Sequence, residues 1–116
     1  MNFFDGFGIG IDLVKIDRFK KTPFEENESF YRKNFSKEEI EDCLKFEEPY
    51  KHFAGKFAIK EATIKAIDKK IQLLQIKTYH KESKPKVSIV SEKIDLKVSV
   101  SHDGDYAIAI VFSKIN

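Results

Sequence analysis

Near the start of the chain, large apolar residues alternate with glycine: Phe7-Gly8-Ile9-Gly10-Ile11-Asp12-Leu13-Val14. A period of two predicts a strand over residues 7–14, with one face stripped of side chains by the glycines. Glycine weakens a strand, so its repeated use predicts a close approach by another backbone, a helix or a ligand. Residues 17–21 read as a short helical turn stopped at Thr22-Pro23. Residues 23–29 are acidic and loop-like. Ser36 with Glu39 three places later has the capping-box pattern and predicts a helix over 37–46. Pro49 suits a first helical position and opens a longer candidate, 49–70. Within it Phe53, Phe57, Ile64 and Ile67 form one helical arc. Gly55, Ala58, Ala62 and Ala66 form a second arc, of small residues. Two apolar arcs predict a largely buried helix cradled by a curved sheet. The remainder reads as strands over 75–80, 86–90, 96–101 and 106–112, with Asp103-Gly104 as a hairpin turn. No repeat, linker or low-complexity tract interrupts this order, so the expectation is one α+β domain over residues 1–116.

Composition narrows the class. With 116 residues the core is modest, and self-association is a reasonable way to bury more surface. Hydrophobic residues at 41% and charged residues at 34% fit a soluble globular chain. Eleven Phe and no Trp predict a Phe-rich core or interface. A net charge of +2 lacks the basic footprint of a general nucleic-acid binder, so no nucleic-acid partner is expected. The charge is instead local: Lys15, Arg18, Lys20 and Lys21 crowd the end of the first motif, as a docking surface or as a solvated face. The single Cys43 excludes an internal disulfide and a cysteine-based zinc cage, and reads as passive. The start of the chain lacks the pattern of a signal peptide and no run reaches membrane-spanning length, which makes the cytoplasm the expected compartment.

Candidate chemistry lies on the long helix and two strands. At about 100° per residue, Glu61, Lys65 and Asp68 share one narrow face between the two apolar arcs. Glu61 should be partly buried and therefore needs a partner. Lys65, one turn on, is the plain choice, and a metal ion is the sharper one. Asp12, read as ending an apolar strand, is either a turn or cap residue or a second carboxylate ligand. One or two carboxylates plus waters and substrate phosphate is the usual magnesium count, which Asp12 and Glu61 meet if the fold brings them together. His102 follows Val98-Ser99-Val100-Ser101 before the predicted turn, where it could hydrogen-bond a phosphate oxygen. Gly8-x-Gly10 without a third glycine and a following helix is a poor dinucleotide fingerprint. Neither a phosphate-loop motif nor a His-Glu-x-x-His pair occurs.

Three separated blocks together resemble the holo-acyl-carrier-protein synthase family of phosphopantetheinyl transferases. The first runs from Gly8 through Asp12 to Arg18, and the second from Phe53 through Glu61 to Ala66. The third joins Val98-Ser99-Val100-Ser101-His102 to Tyr106-Ala107-Ile108-Ala109, and Ser83-Lys84-Pro85 resembles the family's Gly-Lys-Pro strand entry. The resemblance implies the phosphopantetheinyl transferase fold, a long helix packed in a curled antiparallel sheet, and a homotrimer with active sites between subunits. It implies transfer of 4'-phosphopantetheine from coenzyme A to a serine of apo acyl carrier protein, releasing adenosine 3',5'-bisphosphate. By matching position, Asp12 and Glu61 would hold magnesium, while Lys65 and His102 would contact phosphates of coenzyme A. Glu61, or a water on the metal, would take the serine proton, and Lys65 and His102 would stabilise the leaving phosphate. Lys56 stands where the family usually has Arg, keeping the charge without the bidentate fork. Residues 68–72 replace a Gly-Thr-Gly-type loop, and only 91–95 remain of a helix before the last hairpin, so the pocket and hairpin packing are expected to differ there. Acidic carrier proteins would suit the cluster of Lys15, Arg18, Lys20 and Lys21. Three alternatives stand beside this reading: the same chemistry on a polyketide or peptide-synthesis carrier, a non-catalytic module binding acidic partners, and a nucleotide-binding regulator.

Overall fold

The computed structural model describes residues 2–115. Strand β1 (Phe7–Lys15) leads to a single helical turn, α1 (Asp17–Lys20). Two short helices follow, α2 (Glu28–Asn34) and α3 (Lys37–Leu44), and then the long α4 (Tyr50–Ile67). The chain ends in β2 (Ile76–Lys81), β3 (Lys84–Ile89), β4 (Ile94–Asp103) and β5 (Tyr106–Ile115). The strands form an antiparallel sheet in the order β1-β5-β4, and β2 and β3 pair as a separate hairpin. The architecture is the α+β class read from the sequence pattern.

The small arc of α4 explains the glycines of β1. A Cβ on Gly8 would lie 1.8 Å from the Ala66 carbonyl oxygen, and one on Gly10 would lie 1.9 Å from that of Ala62. The close approach is therefore by helix backbone rather than by a ligand. Strand and helix meet with almost no side-chain layer between them, and Ser113 of β5 ties the contact by donating to the Ala66 carbonyl at 3.0 Å. The large arc of α4 faces an aromatic cluster in which Phe19, Tyr31, Phe35 and Phe53 are all buried. That cluster takes up only part of the phenylalanine content, since Phe3, Phe4, Phe7, Phe46 and Phe112 stay exposed in the single chain.

Several boundaries differ from the sequence expectation. The strand holding Asp12 does not end there but runs on to Lys15. Residues 23–29 are not simply a loop: Phe24–Glu26 form a 3-10 turn, and α2 begins at Glu28 with Tyr31 as its buried anchor. The long helix stops at Ile67 because Asp68 takes a left-handed conformation (φ 52°). The last hairpin turns at Gly104-Asp105, since Asp103 still pairs with Tyr106. His102 accordingly is the penultimate residue of β4, one position before the strand ends. Ser99 and Ser101, alternating with it, point to the other face of the sheet. The capping box of α3 is as expected: Glu39 N–H donates to Ser36 Oγ at 3.2 Å, and Ser36 N–H donates to Glu39 Oε1 at 2.7 Å.

Candidate active site

Gly8, Gly10 and Asp12 share the side of β1 that faces α4. With the glycines pressed against the helix, Asp12 emerges where helix and strand part. Its carboxylate accepts from Lys65 Nζ at 3.2 Å, and the same ammonium donates to the Ile11 carbonyl at 2.9 Å. Lys65 thus binds β1 instead of Glu61, contrary to the intrahelical pair that spacing suggests. Glu61, half-buried, stands one turn earlier on the same face of α4. No ion pair to it occurs among the described residues. Asp68 leaves this face through its left-handed conformation and caps the helix, donating from its N–H to the Ile64 carbonyl at 3.0 Å. Among the described residues no group of three or more His, Cys, Asp and Glu is clustered to hold a metal.

Lys56 and His102 belong to a second locus, a cavity of about 650 Å³ between α3, α4, β4 and the β2–β3 hairpin. All three histidines of the chain, His52, His80 and His102, line it. Lys56 is only 6% exposed and donates to Thr78 Oγ1 at 3.3 Å. It is a buried cation whose partner is a neutral oxygen. Nε2 of His102 lies 3.1 Å from the Lys51 carbonyl. A carbonyl only accepts, so that nitrogen carries a hydrogen and Nδ1 is the atom left for other partners. Gly55 makes room for this ring, since a Cβ there would lie 3.1 Å from Nε2. His52 stacks on Phe46, with centroids 3.7 Å apart and planes inclined by 19°. Burial, and then the positive charge of Lys51, His102, Lys56 and His80, hold the His52 imidazole below its usual value near 6.5. Basic groups outnumber acidic ones in the cavity lining, where Lys45, Lys56 and the three histidines face the carboxylate of Asp42, and the Glu39 carboxylate lies behind Lys56 on the far side of Thr78. Cys43 also lines it, but burial pushes the thiol up to about 12, which keeps it protonated and passive as expected.

Sequence reasoning missed His52, His80, Thr78 and the network behind them. His52 and Lys56 are one helical turn apart, and that spacing was the available signal. Behind the cavity, Lys60 Nζ bonds Glu39 Oε1 at 2.7 Å, with both side chains essentially out of solvent. The ammonium also donates to the carbonyls of Asn34 at 2.9 Å and Leu73 at 3.0 Å. Glu39 Oε2 accepts from Thr78 N–H at 2.8 Å and from Thr78 Oγ1 at 2.6 Å. Burial pushes the Glu39 carboxyl up, but Lys60, Thr78 and Ser36 together outweigh it and hold the group below its usual range. The capping-box glutamate therefore joins α3, α4 and β2 as well as closing its own helix.

The two loci flank the stripe of α4 covered by β1. At about 100° per residue, Lys56 and Lys65 lie about 180° apart around the helix axis. Lys15, Arg18, Lys20 and Lys21 are exposed where β1 passes into α1, with Lys21 paired to Asp17 at 3.0 Å and the Arg18 guanidinium 5.1 Å from the centre of the Phe57 ring.

Residues 8–111, nearly the whole described chain, match the family model of the 4'-phosphopantetheinyl transferase superfamily. The chain belongs to that superfamily. Superfamily members similar to it include a holo-[acyl-carrier-protein] synthase of Ehrlichia ruminantium, 40% identical over 114 residues that span 90% of this chain and 93% of that one. The synthase of the same name from Thermodesulfovibrio yellowstonii is 32% identical over 108 residues, covering 90% and 95%. Among solved superfamily structures, the Helicobacter pylori holo-[acyl-carrier-protein] synthase in complex with coenzyme A superposes with a TM-score of 0.78 at 34% identity, covering 89% of this chain and 96% of that chain. The Bacillus anthracis enzyme in complex with CoA (3',5'-ADP) gives 0.82 at 26%, covering 94% and 96%.

Proposed function

We propose that this protein is a holo-acyl-carrier-protein synthase: it transfers 4'-phosphopantetheine from coenzyme A to a serine of apo acyl carrier protein, leaving adenosine 3',5'-bisphosphate. The observation that carries this reading is the similarity to synthases of that name over nine-tenths of the chain. A cavity in which Lys45, a buried Lys56 and three histidines outnumber the carboxylate of Asp42 fits it, because a phosphorylated donor supplies further negative charge.

The residues divide the work. Lys56 and His102 would hold donor phosphate, with the flat Phe46–His52 pair as an apolar wall. Lys65 would stabilise charge on the departing phosphate, in place of its resting bond to Asp12. Glu61 would accept the serine proton, directly or through water, as serine attacks the phosphorus bearing the pantetheine arm. Magnesium fits the donor set, since Asp12 and Glu61 offer hard carboxylate oxygens and Asp12 already holds a cation in the form of the Lys65 ammonium. The chemistry a bound magnesium ion supplies is neutralisation of pyrophosphate charge.

The homotrimer belongs to this proposal. A donor molecule on one subunit has Lys56 and Lys65 on opposite sides of α4, so a site that uses both is better built from two copies. A broad apolar sheet face supports self-association. The acidic carrier would dock on Lys15, Arg18, Lys20 and Lys21.

The test weighs an apo carrier intact after incubation with the protein, coenzyme A and magnesium. The expected result is a mass gain of one phosphopantetheine, lost with a chelator and regained with magnesium. Asp12→Ala and Glu61→Ala should each slow transfer by roughly 100-fold or more. A folded sample that modifies no carrier defeats the reading, and full activity in both variants defeats the metal assignment.

A further inference from the structure

The Thr78 hydroxyl is caught between a carboxylate and an ammonium. Glu39 Oε2 can only accept, so the single hydrogen of Oγ1, 2.6 Å away, points to Glu39. The lone pairs of Oγ1 are then free to accept, and Lys56 Nζ lies 3.3 Å off. Glu39 cannot drift from Thr78, because Lys60 and the Ser36 N–H hold its other oxygen at 2.7 Å each. The Thr78 N–H donates to the same Oε2 at 2.8 Å, so β2 itself is tied to this carboxylate. Thr78 is 4% exposed and Lys56 6% exposed, so solvent does not compete for either.

An ammonium on a four-carbon stem has no planar fork to set its direction, and its orientation comes from whatever accepts its hydrogens. We propose that Thr78 is a positioning residue: its hydroxyl, oriented by Glu39, anchors the Lys56 ammonium at the cavity wall with two N–H groups left to meet an anionic phosphate of the donor. The Lys60–Glu39 pair is the rigid backing of that anchor. This rests on the reading of the cavity as the donor-phosphate site. Thr78 touches neither donor nor carrier in this scheme and acts through Lys56.

Thr78→Val keeps the shape and removes the hydroxyl, and Thr78→Ser restores it. For valine the expected result is a KM for coenzyme A raised by about 10-fold, the effect of one hydrogen bond to a charged group. The kcat and the KM for the carrier should stay within about twofold, and serine should return the KM close to that of the unaltered protein. In a Lys56→Met background, Thr78→Val should add nothing to the KM for coenzyme A. An unchanged KM in folded Thr78→Val overturns the proposal, as does a further loss in the Lys56→Met background. If Lys56→Met itself leaves that KM unchanged, the donor-phosphate reading falls instead. Should the valine variant not fold, the unaltered protein still decides. The Lys56 side chain should be as ordered by NMR relaxation as that of Lys60, and motion like that of exposed lysines overturns the anchor.

Discussion

Lys60 is wholly buried, yet it has an ionic partner in Glu39 and two carbonyl acceptors. Removing one member of such a pair leaves a charge stranded in a dry site, a cost of about 3–5 kcal/mol. Lys60→Met should therefore lower the urea midpoint sharply, and adding Glu39→Gln should recover part of the loss; additive losses would show that the pair is not coupled. Glu39 also sets an acid limit. Its carboxyl is held below the usual value near 4.5, so its contribution is complete above that pH and is lost as pH falls through the lowered native value. Unfolding free energy should decline below about pH 4.5 more steeply in the unaltered protein than in Glu39→Gln. His52 reports on the cavity from the other side. Its imidazole should titrate below 6.5 by NMR, and adenosine 3',5'-bisphosphate should raise that value by supplying negative charge; a value unmoved at saturating ligand would remove the ligand from this cavity. Asp12, Glu61, Lys65 and His102 were singled out as candidates by residue type and position, and Lys56 only by the family resemblance. Their division into two loci was not, because it depends on which strands cover α4.

At the level of elements, the tight packing of β1 on α4 rests on missing side chains. Gly10→Ala would drive a Cβ into the Ala62 carbonyl, a backbone atom that cannot rotate away. The expected loss is about 2 kcal/mol or more in unfolding free energy, read from denaturant titration. A loss below a few tenths would mean that strand and helix are not packed this closely. Helix α3 was legible because its start is written locally, in Ser36 and Glu39. Helix α2 was not, since its first turn carries no side-chain cap and its anchor is Tyr31, whose hydroxyl donates to the distant Thr22 carbonyl at 2.6 Å. The β2–β3 turn was also silent. Glu82 and Ser83 both adopt positive φ, 53° and 66°, without the Asn-Gly or Asp-Gly pair that usually marks such a hairpin.

For the whole molecule, the outer face of the β1-β5-β4 sheet is the dominant surface feature. Ile9 pairs with Phe112, Ile11 with Ile110 and Leu13 with Ile108, forming three apolar rows. Ile9, Ile11 and Leu13 are 57%, 54% and 60% exposed in the single chain. Contiguous apolar surface of this kind marks an interaction site, and burying each such side chain contributes ~1.5 kcal/mol or more. Sedimentation of the unaltered protein should show a trimer. Ile11→Asp should shift it toward monomer and reduce transfer in parallel, because the two loci would then no longer be brought together. A monomeric native protein with full activity would end the shared-site proposal.

Local sequence determined the glycine-bearing strand, the capped α3, the two-arced α4, the last hairpin and the kinds of residue available for chemistry. Each is written in neighbours within about two helical turns, where periodicity and capping act directly. Tertiary structure alone decided that Lys65 binds Asp12 rather than Glu61, and that Glu39, Thr78 and Lys60 form one buried network behind Lys56. Those partners lie between 21 and 53 positions apart in the chain. Their pairing follows from which surfaces the packed elements bury together, and no local pattern records that.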